Sequence, residues 1–168
     1  LQERAATRIN ELEWIRRQLG DLKARLEDSD REDAEELVER IDAAAEGART
    51  VEGGYFDLRL TGHGQDSLRW ERRLYAKLAY LAWQIGSSDH RPTDQHGEVF
   101  RKLQGDLETL EAKQESYVTE ELGPLETLLV ERGLPRVLVG LADPDSGSAD
   151  EADEAGEERS ERLERLRE

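Results

Sequence analysis

The chain has 168 residues, of which 36% are hydrophobic and 38% charged, and its 40 acidic against 24 basic side chains leave a formal net charge of −16. That length is one domain, or one domain with a tail. A surface for nucleic acid or for an anionic membrane needs clustered Lys and Arg, so this charge balance argues against both partners. The absence of Cys excludes zinc fingers, iron–sulfur sites, disulfide scaffolds and thiol catalysis.

Only Lys23, Lys77, Lys102 and Lys113 are lysines, and the other basic residues are all Arg. Strong acidity with few lysines gives a densely hydrated carboxylate surface, which keeps a protein soluble in high salt. No apolar run approaches the ~20 residues of a membrane-spanning helix, so no membrane insertion is expected. The chain begins at Leu1 and contains no Met, and it reads as a piece of a longer translated protein.

The first helix is expected over about 2–27. Ile9, Leu12, Ile15, Leu19, Leu22 and Leu26 recur at spacings of three and four, a near-heptad stripe. Asp28-Ser29-Asp30 breaks the pattern, and Ser29 with Glu32 has the spacing of a capping box. A second helix over about 31–48 then carries Leu37, Val38 and Ile41. So short a turn predicts antiparallel packing of the two.

Residues 49–66, with Gly53-Gly54 and Gly62-His63-Gly64, read as a short hairpin or a glycine-rich crossover. The crossover fits better, because the next pair of helices must be placed against the first. GHG is no phosphate loop, since it lacks the preceding strand and the full glycine spacing. A third helix follows over about 66–86, carrying Leu74, Leu78, Leu81 and Ile85. Trp70, Tyr75, Tyr80 and Trp83 lie on it outside that stripe, so the helix is apolar on two sides. Such a helix either sits at the centre of the bundle, the reading its apolar girth favours, or turns one side outward. In the second case the four aromatics are candidate interaction residues.

Thr93 is the expected N-cap of a fourth helix over about 93–132. Its stripe runs through Val99, Leu103, Leu107, Leu110, Gln114, Tyr117 and Glu121 to Leu125 and Leu128. Gly123-Pro124 interrupts it and predicts a kink or restart near Glu120, and Gly133 is the expected C-cap. Residues 1–141 thus form the helical bundle. Residues 142–168, rich in acids, read as a flexible linker or tail with a short terminal helix carrying Leu163 and Leu166.

His63, His90 and His96 are the only imidazoles, and no HExxH or calcium-loop rhythm occurs. Carboxylates fall on polar helix faces or in the tail, not as an acid pair in an apolar cleft. No catalytic residue, metal ligand or cofactor is therefore expected.

The stretch GQDSLRWERRLYAKLAYLAWQIGSSDHRPTDQHGEVFRKL, followed by LETLEAKQESYVTEELGPLETLL, resembles the helical C-terminal region of bacterial and archaeal BNR-repeat proteins. These are large β-propeller proteins, often labelled sortilin-like or glycosyl hydrolase. The matching residues are the Gly64-Gln65-Asp66 entry, Arg73, Leu74, Lys77, Leu78 and Leu81, the D..PT turn, Val99-Phe100, and Leu125 to Leu129. Trp70-Glu71 departs from it, standing where the family tends to have an aromatic followed by proline. The resemblance implies a place after a propeller of sialidase-type repeats in an exported protein, periplasmic or extracellular. Any catalytic site would then belong to the propeller, and no catalytic residue carries over onto this chain.

The expected fold is all-α, a four-helix, mostly antiparallel bundle with an acidic tail. Its expected role is a non-catalytic accessory domain that packs against an upstream propeller of the same chain. The alternative is a homo-oligomer, a coiled-coil-like module built on the first helix.

Overall fold

The computed structural model describes residues 1–60, 69–87 and 90–140, and every regular element among them is helical. Helix α1 covers Gln2–Glu27. Its stripe of Leu12, Ile15, Leu19, Leu22 and Leu26 is buried throughout. At ~1.5 Å per residue the helix is about 39 Å long and serves as the backbone of the core.

Helix α2 covers Ala34–Tyr55 and departs from expectation at both ends. Ser29 does not cap it: its hydroxyl donates to the carbonyl of Leu26 at 2.7 Å and so closes α1 instead. Asp33 occupies the N-cap position without a side-chain cap bond. Its carboxylate is taken by Arg31 and by Arg132 from the far end of the chain.

At its other end α2 runs on through Gly53-Gly54, where the sequence predicts a break. The buried face continues past Ala48 to Glu52 and Tyr55 at helical spacing, and Glu52 hides it from an apolar count. Gly54 allows a close approach, as does Gly47, whereas nothing lies within 4 Å of a Cβ at Gly53. A Cβ on Gly54 would lie 2.5 Å from Leu110 Cδ2, and one on Gly47 would come within 2.9 Å of the Tyr117 ring and also strike the Glu121 carboxylate. Ion pairs between the helices appear in opposite order along the two, Arg16 with Glu52 and Lys23 with Asp42, as the short turn requires.

The crossover is shorter than expected, because residues 49–55 belong to α2. Asp57 fixes its start: its buried carboxylate accepts from the Arg59 backbone N–H at 3.1 Å and from the Arg59 guanidinium at 2.8 and 2.7 Å. Gly62-His63-Gly64 lies outside the described residues, as does the predicted tail from 142 onward.

Helix α3 covers Leu74–Gly86, so the described part begins later than the predicted third helix, and residues 71–73 are not helical. Its Leu74, Leu78 and Leu81 enter the core.

Helix α4 covers Asp94–Tyr117. Thr93 caps it, accepting from the His96 N–H at 3.3 Å, while His96 Nδ1 accepts from the Thr93 N–H at 3.2 Å. The helix then passes through one π-helical turn, Val118–Leu122, into α5 at Gly123–Glu131. That turn is the predicted interruption, and it shifts the stripe. The buried positions run Leu103, Leu107, Gln114, Tyr117, and then jump five residues to Leu122, Leu125 and Leu129. A step of five matches the i→i+5 turn. It leaves Glu121 exposed where an unbroken α-helix would carry it inward.

Gly133 closes α5 with a φ of 72°. Its N–H donates to Val130 at 3.0 Å and that of Leu134 to Leu129 at 2.8 Å, the paired bonds of a Schellman end. The chain then returns along α1, where the Gln18 side chain bonds both the N–H and the carbonyl of Leu138 at 2.8 and 3.0 Å.

The helix glycines give opposite forecasts. Gly47→Ala should lower stability by about 1–3 kcal/mol, because the Tyr117 ring it would strike is itself packed in. Gly20→Ala, with nothing within 4 Å, should raise stability by about 0.5–1 kcal/mol. Urea midpoints of the two variants check this, and equal shifts of the same sign would contradict the close-approach account.

Candidate functional site

The structure divides the four candidate aromatics among three settings. Trp70 lies ahead of α3, with the Arg59 guanidinium over its ring at 3.9 Å. Arg59 in turn is held by Asp57, and Arg73 approaches the same carboxylate at 3.9 Å. Trp70 therefore belongs to the knot that anchors the crossover. Tyr75 is half-buried against the core, and its hydroxyl accepts from the Gln2 side chain at 3.5 Å.

Tyr80 and Trp83 turn outward. Their rings stack with centroids 6.1 Å apart and an interplanar angle of 27°. Tyr80 is 46% and Trp83 66% exposed, which overturns burial at the centre of the bundle for this pair. The reason is length and phase: α3 is only 13 residues, and Leu74, Leu78 and Leu81, flanked by Tyr75 and Ile85, make its contact with the core.

Beside that pair lies a groove of about 460 Å³ between α3 and α4. Tyr80, Leu81, Val99 and Leu103 form its apolar part. Arg72, Lys77 and Lys102 stand at its edge, with the Arg72 guanidinium 5.1 Å above the Tyr80 ring. His96 lines the end where the capping box begins α4. Val99, expected on the buried stripe, is 39% exposed in this groove.

Sequence reasoning passed over the cations. Residues 69–102 hold seven Arg and Lys against four acids, a local net charge of +3 in a chain of −16. The rest of the chain carries −19. A sliding count of charge would have found this segment; a total does not.

The remaining polar chemistry is structural. Between α1 and α4, Arg4 and Arg8 meet Glu111 at 2.6 and 3.8 Å, Arg8 meets Glu11 at 3.0 Å, and Gln114 donates to Glu11 at 2.9 Å. The buried Tyr55 hydroxyl is near these charges, and burial, with the Glu111 carboxylate second, pushes its pKa well above the ordinary phenol value. Burial also raises the Glu52 carboxyl above its usual range, against the pull of its Arg16 partner. Every carboxylate in these seams is engaged by a cation or an amide, so they position helices and present no free acid–base pair.

Among the described residues no three of His, Asp or Glu converge as a metal site, and no helix is long and apolar enough to cross a membrane. No protein-family model, curated protein or solved structure matches the chain.

The Asp57 knot makes a pH prediction. Arg59 hydrogen bonds hold its pKa down to about 2 in the folded state. A depressed pKa stabilises fully above the unfolded value near ~4 and is lost as pH falls through the folded one. Asp57→Asn should therefore lower the urea midpoint at neutral pH and flatten its decline between about pH 4 and 2. Parallel curves for the variant and the parent would rule the knot out as an acid-sensitive fastening.

Proposed function

We propose that this chain is a non-catalytic helical accessory domain whose α3–α4 face packs against another domain. The observation that carries the reading is the outward-facing Tyr80–Trp83 pair beside an apolar groove with a cationic edge. Each aromatic brings about 150–250 Å² of surface to a contact, and such residues with nearby Arg concentrate binding energy. The resemblance to BNR-repeat proteins supports a specific neighbour, an upstream β-propeller of the same exported protein. It is the α3–α4 region itself that carries that resemblance.

Self-association through α1 draws no support from the packing. The stripe that suggests a coiled coil is already covered by α2 and the remaining helices, with Leu12 and Leu19 fully buried. Little of that seam is left for a second copy.

Hydrogen exchange on the isolated chain and on its full translation product tests the reading. Amides of α3 and the first turns of α4 should gain protection in the longer product. Trp83→Ser should abolish that gain while shifting stability by no more than about 0.5 kcal/mol, as expected of an exposed site. Protection that instead grows with the concentration of the isolated chain would favour self-association.

A further inference from the structure

The face between α3 and α4 is apolar at its centre and cationic at its edge, and the same chain contains a segment of the opposite design. From Asp143 to Glu168 there are eleven acids and four arginines. Residues 150–158 hold six acids and no base, and beyond them Leu163 and Leu166 stand three apart, the spacing of one helix face. We infer that this C-terminal segment docks on the chain's own α3–α4 groove, with Leu163 and Leu166 against the apolar floor and the acids along Arg72, Lys77 and Lys102.

Three observations lead to that occupant. The first is charge: a stretch of net +3 in a −16 chain edges the groove, and the most acidic stretch is the tail. Exposed charge of this kind selects partner and orientation more than it adds affinity. The second is the apolar surface left open at Tyr80, Trp83 and Val99, which two leucines on one face can cover. The third is reach. The chain is pinned beside Gln18 at Leu138, and Leu163 lies 23 positions beyond Gly140. Extended, that stretch spans up to ~75 Å, about twice the length of α1, so any part of the bundle is accessible.

Tethering makes the encounter intramolecular, with an effective concentration on the order of millimolar for a short linker. Weak contacts then suffice to keep the groove covered, and an incoming domain must displace the tail. The inference rests on reading the α3–α4 face as a docking surface, and it adds a resident competitor for it.

The chain has no Cys, so Ser160→Cys in the full chain takes a single nitroxide label. In dilute, low-salt, nitrogen-15-labelled protein, the Trp83 indole and the amides of Tyr80, Val99 and Lys102 should lose most of their intensity. Amides of Lys23 and Asp42 on the α1–α2 side should keep theirs. The loss should vanish in Leu163→Ser/Leu166→Ser, in Lys77→Glu/Lys102→Glu, and in about 1 M salt, where the screening length falls to about 3 Å. Equal intensities on both sides of the bundle would overturn the proposal. So would broadening that survives both double variants, or that appears only when labelled and unlabelled copies are mixed, which would place the tail on a second molecule. A tail that misses the groove leaves the exchange test on the longer product unaffected, so the two readings fail separately.

Discussion

The close approach of α2 to α4 at Gly47 is the constraint from which the rest of the packing follows. With no Cβ in the way, the Tyr117 ring slides under α2, and its hydroxyl donates to the Ala44 carbonyl at 2.9 Å. The ring is buried with its one polar atom satisfied, which sets both the depth and the rotation of α4. Burial raises the pKa of that hydroxyl well above the ordinary phenol value, so it stays a donor across the physiological range. Once Tyr117 is fixed there, an unbroken α-helix would send Glu121 toward the core. The π turn adds the one residue of phase that brings Leu122 inward instead. The phase of α5 therefore depends on a glycine in α2.

A lean apolar core is completed by polar seams. Gln114 stands in the buried stripe of α4 but bonds Glu11, which is paired with Arg8. Glu52 does the same for α2 through Arg16. Buried acids of this kind add little net stability, because desolvation opposes the attraction. What they do is tie neighbouring helices together, Glu52 to Arg16 between α2 and α1 and Gln114 to Glu11 between α4 and α1. The acidic surplus left over is turned toward solvent.

The legible part of the fold was the part written in leucine. The stripe of α1 and the Leu103–Leu107 stretch follow from spacing alone, as do the Thr93 cap and the Gly133 terminus. Three things hid behind residue type. Glu52 and the Gly53-Gly54 pair disguised the last turns of α2, because burial there is granted by a partner cation and by absent side chains. Ser29 had the spacing of a cap but found a nearer carbonyl. On the fourth rod, Glu121 and Leu128 kept the period of an uninterrupted helix, and no single-residue count announces a step of five. At the surface the four aromatics were grouped by sequence, yet only Tyr80 and Trp83 share a setting. Trp70 was claimed by an arginine from the crossover, a contact between segments that no linear pattern records.

The returning segment after α5 gives the molecule a mechanical polarity. Residues 134–140 are attached to α1 chiefly through the buried Val137 and the two Gln18–Leu138 hydrogen bonds. Tension applied at Gly140 meets those fastenings one at a time, as in peeling, before it reaches the Arg132–Asp33 clasp or the Schellman end of α5. Their release pays out the six residues 135–140, about 20 Å of extended chain, with the helical core still intact. Whatever is joined beyond Gly140 is thus mounted on a short extensible leash, and a pull from that side lengthens the leash before it loads the helices.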